Sequence, residues 1–349
     1  MAQKSAVPEG HGAATASENA YYYDSYAHLQ IHREMLQDKT RTGSYQKAVM
    51  EHAEECFKDK VVLDVGCGTG ILSFFAAKAG AKRVYAVDAS DIVEIAQSIC
   101  ESNGCSDIVK VVRGTVEDVV LPGLAEVGGG VDIIISEWMG YLLIYESMLR
   151  SVIVARERFL KPDGLMFPSH AKLYMTAYSD SKYFGSYVDY WDDVYGVDMG
   201  IVKPRAIEWM AAEPYVEALE PKAIRVSKPV CVLNIDCKTA TIEEVEHVDS
   251  AFVLKISSPD GMVGAGDKVP VHGFAAWFDC MFTGHSGLDG PTITLSTAPA
   301  VDKPIPGVRI IPLIFILDIL GAHTMSAFAT ELSEGSHEGP LCNVPLCQL

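Results

Sequence analysis

The 349-residue chain has little that would build a disulfide or zinc scaffold. Its nine cysteines are an odd number and form no CxxC pair or Cys/His cluster, which argues against a structural metal site and for a reducing compartment. Positive charge is also scarce: 28 Lys and Arg stand against 46 Asp and Glu, a formal charge of −18. That disfavours a nucleic-acid backbone or an anionic membrane surface as the main partner and favours something basic. Long apolar runs are missing too. The first twenty residues contain no apolar signal-peptide segment. The longest apolar run near the end, Ile310–Leu317, holds Pro312 and is far short of the ~20 residues a membrane helix needs. The expectation is a soluble, intracellular protein with no metal, no membrane contact and no direct nucleic-acid contact.

What is present is a core and a rhythm. Apolar residues make up 49% of the chain, and at roughly 150 residues per domain the length predicts about two domains. Residues 1–20 are small and polar and read as a disordered tail. From Tyr21, Ile31, Met35 and Leu36 recur at helical spacing and predict one or two amphipathic helices. Strands and helices then alternate: KVVLDV, a helix closed by Gly80, RVYAVDAS, a helix, IVKVVRG, VDIIISEW, and a helix ESMLRSVIVARERFL stopped by KPDG. This predicts an α/β fold with a parallel sheet over 21–168, whose ligands sit at the carboxyl ends of the strands. After Pro168, spaced strands (AKLYMTAYS, KPVCVLNIDC, AFVLKISS, GFAAWFDCMF) predict a β-rich second domain over 169–299, interrupted by an aromatic, acidic insertion at Lys182–Met199. The last fifty residues, from Ala300, lose the strand rhythm and end in a segment that reads as unstructured.

Gly66, Gly68 and Gly70 follow the first strand and open a helix, where glycines let the backbone turn sharply and approach a ligand. A hydride-cofactor fingerprint, GxGxxG, would need glycine where Ile71 stands, and no lysine or arginine lies in the loop to meet phosphates. Asp88 ends the second strand, where a carboxylate can accept both hydroxyls of a ribose. Glu117, after the third strand, is placed to accept from an adenine amino group. With Asp64 before the loop, these acids suit adenosine without a phosphate. The plainer alternative is a glycine turn needed only for strand-to-helix packing.

Glu137 leaves the fourth strand and Glu146 follows nine residues later, with Trp138, Met139, Tyr141, Leu142 and Leu143 between them. Two carboxylates in an apolar cleft repel unless one takes a proton or a cation sits between them. A planar guanidinium offers five donors in a fork and can satisfy both, each charge-assisted bond contributing about 1.5–3 kcal/mol. The alternative is that Glu146 caps a helix while Glu137 is merely exposed.

VLDVGCGTG, SEWMGYLLIYESML, YYDSYAHLQIHREMLQDKTR and VHGFAAWF together resemble the protein arginine N-methyltransferases, specifically the type I members of the histone-modifying branch. The resemblance runs from about Tyr21 to Pro299. It implies a Rossmann-like S-adenosylmethionine-dependent methyltransferase domain, then a β-barrel-like domain with a helical dimerisation arm near 182–204, assembled as a homodimer. It further implies that Tyr22, Tyr23 and Tyr26 form a lid over the cofactor beside the substrate. His32 and Met35 would line the site near the sulfonium, and Arg41 would pair with the cofactor carboxylate. Asp64, Gly66 and Gly68 would meet the amino-acid part and ribose, Asp88 the ribose hydroxyls, and Val116 with Glu117 the adenine. Glu137 and Glu146 would clamp the substrate guanidinium, with Met148 crowding the methylated nitrogen. Met35 and Met148 also fit plain core, and His32 a structural role.

The implied reaction is methyl transfer to arginine in histone tails and Gly-Arg-rich proteins, giving mono- and asymmetric dimethylarginine with S-adenosylhomocysteine as product, in the nucleus or cytoplasm. The sequence departs from the family at one place. A Thr-His-Trp loop should follow the strand matching ITLSTAP, yet no His-Trp pair occurs after Pro299, and His323 lies between Ala322 and Thr324. Asp38, matching the acid that pairs with that loop's histidine, is expected to lack this partner, and the second domain to lose its closing strands. An inactive or truncated isoform that binds cofactor and dimerises with an active subunit is therefore the alternative. A small-molecule methyltransferase is disfavoured by the two glutamates.

Overall fold

The computed structural model describes residues 26, 28–212, 215–216, 228–254, 271–299, 313–316 and 342–344. Tyr22 and Tyr23, expected in the lid, lie outside the described residues. Among the described residues, two α-helices, α1 (Leu29–Gln37) and α2 (Lys39–Glu51), and a short π-helix, Ala53–Phe57, precede the first strand. Asp38 separates them: its backbone is extended, and its Oδ1 accepts from the Arg41 amide at 3.0 Å, capping α2.

Five parallel strands follow: β1 (Val61–Val65), β2 (Arg83–Asp88), β3 (Val109–Arg113), β4 (Val131–Ser136) and β5 (Leu160–Phe167), ordered β3-β2-β1-β4-β5. The intervening helices are α3 (Ile71–Lys78), α4 (Val93–Ser102) and α5 (Met148–Phe159). β1 is buried along its whole length, as a central parallel strand covered on both faces must be. Strand order reverses between β1 and β4, so the crevice for a ligand lies off their carboxyl ends. The Lys161–Gly164 segment does not end in a loop, as expected, but lies inside β5. Val131 pairs with Leu160 and Ile133 with Leu165, so these four residues bulge between two ladder segments. A bulge is where a strand tolerates proline and glycine.

The second half is an antiparallel sheet, built from β6 (His170–Tyr178), β7 (Tyr215–Val216), β8 (Val230–Asp236), β10 (Gly273–Thr283), β11 (Thr292–Ser296) and β12 (Leu313–Ile316), with order β7-β12-β10-β6-β8 and β11 also on β10. Of AFVLKISS, only β9 (Ser250–Phe252) is a described strand; it pairs with β13 (Cys342–Val344). In the stretch from Ala300 where the strand rhythm is lost, β12 and β13 are the described strands. Residues 313–316 run antiparallel to Gly273–Ala276, covering part of the edge expected to be lost. The proline-broken apolar stretch hid a strand of four residues, too short for its periodicity to register. Helix α6 (Ser181–Val188) opens the aromatic insertion and α7 (Lys203–Ala212) follows it.

One hydrophobic core runs through both sheets. At the junction, Phe282 of β10 meets Tyr45 of α2 with ring centroids 4.8 Å apart and Phe167 of β5 at 6.1 Å, while Phe57 packs on Phe167 at 5.2 Å. All four are fully buried, each apolar ring contributing about 1.5–3 kcal/mol relative to exposure.

Candidate active site

Two loops leave neighbouring parallel strands and face the same crevice. The first, from β1, has Gly66, Gly68 and Gly70 at φ +70°, +54° and +88°. A side chain at Gly66 would put its Cβ 2.3 Å from Cε of Met148, and one at Gly68 would come within 3.0 Å of the His32 ring. The Gly68 amide donates to Asp88 Oδ2 at 2.9 Å, while Asp88 Oδ1 accepts from the amide and hydroxyl of Ser90. Asp64 beneath the loop is fully buried. Its Oδ2 accepts from Ser73 Oγ at 2.7 Å, but its Oδ1 has no partner. Burial pushes this carboxyl up to about 7, with the nearby Asp88 adding and Ser73 opposing.

The second loop, from β4, carries both glutamates. Leu142, Leu143 and Ser147 have φ +49°, +69° and +58°, a left-handed backbone without glycine. Each costs about 1–2 kcal/mol and persists only where packing enforces it. Leu143, fully buried, supplies that packing. Glu146 lies on Gly140, where an added Cβ would be 2.6 Å from its Cγ. Helix α5 starts at Met148 after Ser147, so Glu146 is not its N-cap.

The N-terminal helices close over these loops. The Arg41 guanidinium pairs with Glu137 through Nη2 and Oε2, and the same nitrogen lies 3.3 Å from Met35 Sδ. Their side chains are 20% and 14% exposed, so the pair is well shielded from water. Burial lowers the guanidinium from its ordinary value, and Tyr45, Asp38, Tyr26 and Glu146 oppose that. The Tyr26 hydroxyl donates to Glu146 Oε2 at 2.8 Å, and His32 Nε2 lies 2.8 Å from the Tyr26 carbonyl. Arg41, assigned by resemblance to the cofactor, is thus turned toward Glu137 in this structure. Asp38 Oδ1 is engaged in capping α2 through the Arg41 amide.

Val116 is buried, and the neighbouring Glu117 accepts from Ser151 Oγ of α5 at 2.8 Å. Among the described residues no cluster of three or more His, Cys, Asp or Glu could hold a metal ion. Two residues that the sequence did not single out belong to the site's frame. The buried Tyr45 hydroxyl donates to the Ser136 carbonyl at 2.8 Å, and Ser136 Oγ donates to the Val65 carbonyl at 2.7 Å. The available signal was spacing: Tyr45 lies four residues after Arg41, hence on the same helix face.

Comparison with known proteins agrees with this geometry. Residues 169–304 match the arginine methyltransferase oligomerization subdomain family, and residues 46–169 match the ribosomal protein L11 methyltransferase (PrmA) family. Probable protein arginine N-methyltransferase 6 of Arabidopsis thaliana is 49% identical over 263 residues, 75% of this chain and 57% of that protein. This chain therefore spans little more than half of that relative's length. Probable protein arginine N-methyltransferase 6.1 of Oryza sativa subsp. indica is 45% identical over 297 residues, 85% of this chain and 72% of that protein. A solved Trypanosoma brucei PRMT1 enzyme-prozyme heterotetrameric complex with AdoHcy superposes with a TM-score of 0.69 at 38% identity, covering 84% of each chain. Shared sequence over most of both chains, on a shared fold, makes this chain a member of the protein arginine N-methyltransferase family.

Proposed function

We infer that this chain methylates arginine in proteins, taking methyl groups from S-adenosylmethionine and producing mono- and asymmetric dimethylarginine. The observation that carries this is Glu137, which leaves β4 and already holds a guanidinium, that of Arg41. The residues present also fit the cofactor. Asp64 Oδ1 is a buried oxygen without a donor, suited to an ammonium, and the left-handed backbone at Gly66 and Gly68 would bring a side chain up against Met148 or His32. Asp64, Gly66 and Gly68 would hold the amino-acid part, Asp88 the ribose, Val116 and Glu117 the adenine, and His32, Met35 and Arg41 the sulfonium end. When bound, S-adenosylmethionine supplies an electrophilic methyl group and leaves as S-adenosylhomocysteine.

The chain's own groups then have three tasks. Glu137 and Glu146 orient the substrate guanidinium and hold positive charge on its far nitrogens, leaving the near nitrogen more nucleophilic. Tyr26 and Met148 exclude water and fix the line of approach, the main contribution a displacement needs. A guanidinium has a pKa above 12, so its proton departs during or after transfer, with a glutamate as acceptor. The −18 charge suits arginine-rich substrates such as histone tails and Gly-Arg-rich proteins by steering their approach. The aromatic segment near 182–204 serves as the arm of a homodimer, and the expected location is nucleus or cytoplasm.

A second reading is favoured by the missing His-Trp pair: a cofactor-binding subunit that assembles with an active partner. Mass spectrometry of an arginine-rich peptide, after incubation with the full chain and S-adenosylmethionine, separates the two. Two methyl groups on one nitrogen are expected. An unmodified peptide from folded protein that binds S-adenosylhomocysteine selects the second reading.

A further inference from the structure

Tyr45 is among the largest fully buried side chains of the protein, yet it carries a polar hydroxyl into the core. Burial pushes that phenol well above its ordinary range, so it stays protonated and acts as a donor. Its nearer acceptor, at 2.8 Å, is the carbonyl of Ser136, the last residue of β4, with Met139 Sδ of the glutamate loop at 3.6 Å. The β4–β5 ladder ends one residue earlier, at the Ile135–Phe167 pair. Tyr45 therefore supports the strand end just beyond the reach of β5, immediately before Glu137. Ser136 Oγ continues the chain to the carbonyl of Val65, immediately before Gly66. One turn earlier on α2, Arg41 holds the Glu137 carboxylate itself. Backbone and side chain of the same glutamate are thus gripped from one helix face, and the Tyr45 ring is wedged edge-on against Phe282.

We propose that Tyr45, with Ser136, is a positioning residue for Glu137: its hydroxyl fixes the strand end from which that carboxylate reaches the arginine substrate. The proposal rests on the arginine-methylation reading above. Its test is a double-mutant cycle on the full chain, measuring the affinity of a Gly-Arg peptide in saturating S-adenosylhomocysteine, and of S-adenosylhomocysteine alone. Tyr45→Phe keeps the ring on Phe282 and removes only the hydroxyl. It is expected to weaken peptide binding about tenfold, with less than about a twofold change in S-adenosylhomocysteine affinity, because one buried hydrogen bond is lost beside one ligand only. In a Glu137→Gln background the same substitution should cost nothing further.

Equal losses for both ligands, or an undiminished peptide loss in the Glu137→Gln background, would overturn the proposal, since a merely structural tyrosine behaves that way. So would wild-type peptide affinity in Tyr45→Phe. Should Tyr45→Phe fail to fold, Tyr45→Met, which keeps apolar bulk in the core and has no donor for the Ser136 carbonyl, carries the test and must give the same peptide-selective loss. Failure of the wild-type chain to bind or methylate any arginine peptide is a different result, which removes the underlying reading and the proposal with it.

Discussion

The glycine loop and the glutamate loop leave adjacent strands and reach the same left-handed backbone by different means. After β1, three glycines adopt positive φ at little cost, and the backbone itself forms the surface. After β4, two leucines and a serine adopt positive φ at real cost, and a buried leucine holds them there. The first loop is shaped by what it omits, the second by what it packs. A loop that must admit a ligand against its backbone can do without side chains. A loop that must hold two like charges at a fixed separation needs rigidity, and strained residues locked into a core provide it.

Four substitutions break or sharpen that contrast, beginning with the largest effect. Glu137→Gln should lower kcat/KM for an arginine peptide on the order of 100- to 1,000-fold while S-adenosylhomocysteine affinity holds; a proportional loss of both would place the glutamate in the wrong pocket. Gly66→Ala should do the reverse, since a φ of +70° strains an alanine and displaces the loop backbone that meets the cofactor. Calorimetry should show cofactor affinity down at least about tenfold, with stability lower by about 1–2 kcal/mol.

Asp64→Asn reads the burial under the glycine loop. The native carboxyl, raised to about 7, keeps a proton that the unfolded chain gives up near pH 4. This group's contribution therefore makes stability fall between about pH 4 and 7 and level off above it. The variant should lose that part of the slope, on the order of 2–4 kcal/mol across the window, and identical unfolding-versus-pH curves would refute it. Ser147→Gly is the smallest. It removes a left-handed serine that makes no capping bond, and denaturant midpoints should report a gain of about 0.5–1 kcal/mol.

The parallel half was legible because its signals are local. VVLDV, RVYAVD and VDIIIS are short apolar runs punctuated by glycine, and each forms the strand its composition asks for. The two loops could be read for the same reason. What escaped was long-range or mixed in its local signal. Lys161–Gly164 looks like a terminator because bulges use terminator residues. Leu313–Ile316 is a strand by virtue of β10, some forty residues earlier, and of β7, earlier still. The pairing of Arg41 with Glu137 and the Tyr45 hydroxyl bond span 96 and 91 residues, and no periodicity encodes either.

The aromatic junction of Tyr45, Phe57, Phe167 and Phe282 has a consequence for inheritance as well as for stability. Rings contributed by the helices, the parallel sheet and the antiparallel sheet fill one shared space, so neither half owns its own interior there. Recombination between relatives at the 168/169 boundary would splice the sequence cleanly and the packing badly, unless the partners matched at Phe167 and Phe282. The halves of this protein are best regarded as a single heritable unit.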